Sequence, residues 1–105
     1  MRKFVLRLLV PLGIFTIPAS AATGTVVYKQ RGCDYFVVET PTGFDVLEWY
    51  GGYDPDRGDV VVGKFHEYGM KDIYDQTSDS DLKVWVEDYD LSKSRALEKM
   101  VDKCE

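Results

Sequence analysis

The sequence predicts a mainly β domain: a small five-stranded barrel with one C-terminal helix packed on it. Short runs of β-branched and aromatic residues are separated by Gly, Pro and Asp turn chemistry, the rhythm of a small all-β domain. Leu82-Lys83-Val84-Trp85-Val86-Glu87-Asp88-Tyr89 alternates apolar and polar positions, the period of a half-buried strand. After Ser92 the period becomes helical, with Leu97, Met100, Val101 and Cys104 at i, i+3, i+4 and i+7. Five short strands with an apolar interior hide their edges best by curling closed.

Each element has a local reason. Thr25-Val26-Val27-Tyr28-Lys29 is β-branched and aromatic and stops at Gln30-Arg31-Gly32. Tyr35 to Thr40 is a second strand, and Pro41-Thr42-Gly43 a tight turn in which Pro presets φ and Gly accepts positive φ. Phe44 to Tyr50 returns as the other arm of a hairpin, and Gly51 to Asp59 reads as a loop. Val60 to Tyr68 reads as a fourth strand, with Gly63 as a bulge or bend. Gly69 to Asp81 is polar and reads as irregular. The fifth strand, Leu82 to Tyr89, puts Leu82, Val84 and Val86 on one face and Lys83, Trp85, Glu87 and Tyr89 on the other. Ser92 is the expected N-cap of the helix, with Leu91 stapled onto Ala96.

The first twenty-one residues read as a secretory signal peptide. Arg2, Lys3 and Arg7 make the positive start, Leu8 to Ile17 the apolar centre, and Ala19-Ser20-Ala21 the small-x-small cleavage pattern. The apolar run falls short of the roughly 20 residues that cross a bilayer, so no membrane span is expected after cleavage. The destination is the periplasm or the extracellular space. Residues 22–105 then form a single domain. Without Arg2, Lys3 and Arg7 the formal charge moves from −5 to −8. Such a surface repels phosphate backbones and excludes nucleic acid as a partner, whereas it steers basic proteins towards itself. In an exported chain, Cys33 and Cys104 at opposite ends of the domain are expected to pair as a disulfide that closes it.

Pro55-Asp56-Arg57-Gly58-Asp59-Val60-Val61-Val62-Gly63 resembles the turn-into-strand pattern P-x-x-G-D-x-V-x-G of OB-type and SH3-like small barrels. The resemblance spans about nine residues and implies the barrel architecture. The helix that OB-type barrels place between strands three and four has only the Gly51–Asp59 loop to stand for it.

Motifs for chemistry are sparse. Asp54, Asp56 and Asp59 open like a calcium loop, but Gly58 falls on the third ligand position, Asp59 where glycine is needed, and Phe65 where the bidentate Glu belongs. A looser cation site on the three carboxylates is the alternative to a solvated turn in which Asp side chains bond nearby N–H groups. His66 is the single histidine. Metal sites of the zinc type draw on several His or Cys ligands, so no metal and no cofactor are expected. No nucleophile lies near His66 in sequence, so catalysis is not the first reading; a small hydrolase using His66 and Glu67 as acid and base is the alternative. Seven Tyr, two Trp and five Phe are many for this length, and Phe36, Phe44 and Phe65 are natural core residues. Trp49, Tyr50 and Tyr53 flank the acidic loop, and Trp85 and Tyr89 share the face opposite the apolar side of their strand. Exposed, these side chains form a binding surface; Trp85 and Tyr89 are equally the natural floor for the helix. The expected function is non-enzymatic binding of an envelope or extracellular protein, through these aromatics and Asp54, Asp56 and Asp59. The alternative partner role is neutralisation of a basic secreted protein.

Overall fold

The computed structural model describes residues 21–105, so the expected signal segment up to Ser20 lies outside the described residues. Six antiparallel strands close a barrel: β1 (Ala22–Lys29), β2 (Tyr35–Thr40), β3 (Gly43–Gly52), β4 (Val60–Gly63), β5 (Gly69–Asp75) and β6 (Ser80–Leu91). Their order is β1-β2-β3-β6-β5-β4, with β4 returning to pair with β1. Among the described residues one helix, α1 (Lys93–Cys104), lies outside the barrel over β2 and β3.

The extra strand is β5, in the segment expected to be irregular. Its inward positions include the buried acid Asp75 beside Ile73, and its outward ones carry Met70, Asp72 and Tyr74. That mixture hides the period of two, and ring closure between β4 and β6 supplies what local hydropathy lacks. The expected fourth strand correspondingly stops at Gly63, because the chain must turn there before re-entering as β5. Gly63 lies so close to Ile73 that a Cβ would sit 2.4 Å from its Cγ2.

Two cores result. Inside the barrel, Val26, Phe36, Val38, Leu47, Phe65 and Val84 are among the buried residues, with Trp49, Tyr53 and Tyr89 packed partly against them. Outside, Val37 and Val46 meet Ala96 and Met100 of α1, framed by Val27, Tyr28, Tyr35 and Phe44. The floor beneath the helix is thus built by β1–β3, and not by Trp85 and Tyr89. The helical stripe is also turned from its expected position. Ala96, Met100 and Cys104 face the barrel, while Val101 is 65 % exposed. Ser92 accepts a hydrogen bond from the Arg95 N–H at the start of α1, and the Cys33–Cys104 disulfide ties down its last turn. Those two anchors select the i, i+4, i+8 line.

Bulges in β6 decide which way its later side chains point. Leu47 pairs with Val86 but Val46 with Asp88, leaving Glu87 unopposed; Phe44 then pairs with Leu91, so two residues, Tyr89 and Asp90, oppose Asp45. Such insertions bend a strand and re-aim its side chains. Tyr89 therefore turns towards the barrel interior while Trp85 stays outside. Among the described residues no helix is long and apolar enough to cross a membrane; the Cys33–Cys104 disulfide is compatible with an exported protein.

Candidate functional site

The residues expected to bind together are separated by the fold. Trp49 points inward, its Nε1 donating to the Tyr53 carbonyl at 3.0 Å, and Tyr53 packs partly against the barrel core. Asp54 is exposed and pairs with Lys29. Asp59 is buried and accepts from the Asp56 N–H at 3.1 Å, as in the turn anticipated for a loop of this composition. Asp54, Asp56 and Asp59 do not converge as a cation site. A shallow cleft of about 580 Å³ beside this loop is lined by Lys29, Arg31 and Arg57 as well as Asp34, Asp54 and Asp56. Mixed charge of that kind selects neither anions nor cations.

Tyr50 and Trp85 do share a surface, and Met70 joins them. Tyr35, Glu48, Trp85 and Met70 stand in one cross-strand row over β2, β3, β6 and β5. α1 covers Val37 and Val46 but leaves the far part of this face open. Tyr50, Met70 and Trp85 are 53, 42 and 40 % exposed. Polar groups frame them: Glu48 takes the Tyr35 hydroxyl, whose pKa is pushed up to about 12 by burial and then by that hydrogen bond. On the next outward row Lys83 pairs with Asp72 at 2.7 Å.

A second constellation was not visible in the sequence. Asp45 of β3, His66 of the β4–β5 turn and Asp90 of β6 are, among the described residues, the one group of three such side chains whose ligand atoms lie within 4.8 Å of one another. His66 Nε2 is 3.1 Å from Asp45 Oδ2 and 3.4 Å from Asp90 Oδ1. The Asp90 N–H donates to Asp45 Oδ1 at 2.9 Å, and Thr42 Oγ1 donates to Asp90 Oδ1 at 2.6 Å. Asp45 is wholly buried. Its pKa is pushed up to about 6 by that burial, against the Asp90 N–H and the neighbouring His66, which favour the carboxylate. Tyr89 stacks on the imidazole with ring centroids 5.7 Å apart, and Tyr68 leans on Tyr89. Glu67, the acid–base partner expected for His66, is instead exposed and salt-bridged to Lys71 at 2.9 Å, which holds its carboxyl below the usual range. The sequence carried one trace of the arrangement: Asp45 falls on the same parity of β3 as Leu47 and Trp49, which point inward.

A third acidic contact lies between β5 and the loop before β4. Asp75 is wholly buried, accepts from the Ser78 N–H at 2.9 Å and lies against Asp59. No family model, curated protein or solved structure matches this chain.

Proposed function

We propose that this chain is a small exported, non-enzymatic binding module whose open β3–β6–β5 face receives a basic segment of an extracellular or envelope protein. The observation that carries the reading is the exposed Tyr50–Trp85–Met70 patch on a closed barrel whose helix is tied down by a disulfide. Tyr and Trp supply large contact area at low entropic cost, and Met adapts to irregular partners. A guanidinium or ammonium group can stack on Trp85 or Tyr50, worth about 0.5–2 kcal/mol depending on desolvation. The formal charge of −8 over residues 22–105 draws such partners in and accelerates encounter. The signal-like segment and the disulfide support a meeting in the periplasm or outside the cell. The small-barrel resemblance of Pro55–Gly63 contributes architecture, and the acidic surface sets this barrel apart from those that take nucleic acid.

Selection of a displayed random-peptide library against the disulfide-intact chain tests the reading. Peptides rich in Arg and Lys should be enriched, their binding should weaken with added salt, and Trp85→Ala should cost them at least tenfold in affinity. Enrichment of acidic peptides, or binding indifferent to Trp85→Ala, would overturn it.

A further inference from the structure

We propose that Asp45, His66 and Asp90 form a binding site for a first-row divalent cation, of which zinc fits the ligand chemistry best. The site is separate from the aromatic face and does not depend on it.

The first argument is geometric. Zinc holds imidazole nitrogen and carboxylate oxygen at about 2.0–2.2 Å. Two ligands on one ion at tetrahedral or octahedral angles are then roughly 2.9–3.5 Å apart. The separations of 3.1 and 3.4 Å from His66 Nε2 to the two carboxylate oxygens fall in that interval. The second argument is polar accounting. Asp45 Oδ2 and His66 Nε2 are buried, close together, and complete no directed hydrogen bond among the described residues. Unsatisfied buried polar atoms are costly and call for an explanation. A proton on Nε2 can be aimed at one carboxylate, whereas one ion between the three atoms serves all of them.

The backbone is arranged to the same end. Asp90 has φ 55°, in the left-handed region that non-glycine residues seldom occupy. It sits in the β6 bulge opposite Asp45, and this conformation brings its carboxylate to His66 while its N–H secures Asp45 Oδ1. Thr42 supplies the outer hydrogen bond to Asp90, the kind of support that orients metal ligands. An imidazole with two carboxylates favours zinc and its transition-metal neighbours over calcium or magnesium, which prefer oxygen throughout. His66 and Asp90 are partly open to solvent, so three protein ligands leave room for water or a partner's side chain in the fourth position.

The test uses the disulfide-intact chain, stripped with chelator and titrated with Zn²⁺ by calorimetry and with Co²⁺ by visible absorption. One ion per chain should bind at micromolar or lower concentration. Co²⁺ should develop d–d bands of a low-coordinate site, and Zn²⁺ should raise the melting temperature. His66→Ala and Asp90→Asn, both at partly exposed positions and both checked for fold by circular dichroism, should each weaken binding at least tenfold. Absence of Co²⁺ bands and of a melting shift at millimolar metal would overturn the proposal. So would metal binding that both variants retain, which would place the ion elsewhere on the acidic surface.

Discussion

Replacing Cys33 and Cys104 together by Ser removes the crosslink that holds α1 to the barrel. The bond joins residues 71 apart in sequence. In the chain-entropy account, closing a loop of that size stabilises the fold by about 4 kcal/mol. The other anchors of α1 are modest. Its buried residues are Ala96 and Met100, and burying a side chain of methionine's size contributes roughly 1.5–3 kcal/mol. Lys99–Asp88 and Lys103–Glu87, at 3.3 and 3.5 Å, join α1 to β6, and partly exposed pairs of this kind add about 0–1 kcal/mol each. The crosslink is therefore comparable with everything else that seats the helix. Urea unfolding of the double variant should show a loss of about 4 kcal/mol. For a domain of this size that lowers the melting temperature by roughly 15–30 °C. The helical circular-dichroism band should fade at lower temperature than the tryptophan fluorescence, because Trp49 and Trp85 report on the barrel. A double variant melting within a few degrees of the parent, with both signals lost together, would show that the crosslink is not what seats the helix.

Two further outcomes follow from buried contacts. Burial, and then the neighbouring Asp59, raises the Asp75 pKa. The folded chain thus holds this proton more tightly than the unfolded chain, so this group's contribution to stability is greatest in acid. It declines as pH climbs from the ordinary carboxylate value of about 3.9 through the raised folded value. Asp75→Asn keeps an acceptor for the Ser78 N–H and offers Asp59 a donor. Chemical denaturation across pH should find the variant more stable than the parent at neutral pH, with a flatter profile; a less stable variant at neutral pH contradicts the acid-pair reading. At Gly63 an added Cβ would meet Ile73 Cγ2 at 2.4 Å and Ile73 Cβ at 2.8 Å, an overpacking that typically costs about 1–3 kcal/mol. Gly51→Ala, with nothing within 4 Å of its Cβ, should leave the melting temperature unchanged or raised, and equal melting of the two variants would contradict the close approach of β4 to β5.

Much of the architecture was legible where neighbouring residues decide it. β2 occupies Tyr35–Thr40 as read from its composition, Ser92 caps α1, and Cys33 pairs with Cys104. The alternation of Leu82 to Val86 correctly sends Trp85 outward. These features depend on side-chain parity, capping chemistry and the pairing of two thiols, which are local or combinatorially simple. β5 was not legible, since its inward Asp75 breaks the hydropathy pattern that a strand normally announces. Parity along β6 predicts Tyr89 on the outer face, and the bulge before it turns the side chain inward.

Composition and short-range periodicity suffice for a mainly β domain with a C-terminal helix, an acidic surface and one disulfide. Long-range pairing is needed for six strands to close the ring, for Trp49 and Trp85 to point to opposite sides of the wall, and for Asp45, His66 and Asp90 to meet. Asp45 and Asp90 are 45 residues apart, and what joins them is the pairing register of β3 with β6 and the bulges beside Asp45. Register is a property of two strands together, so no window along one strand contains it.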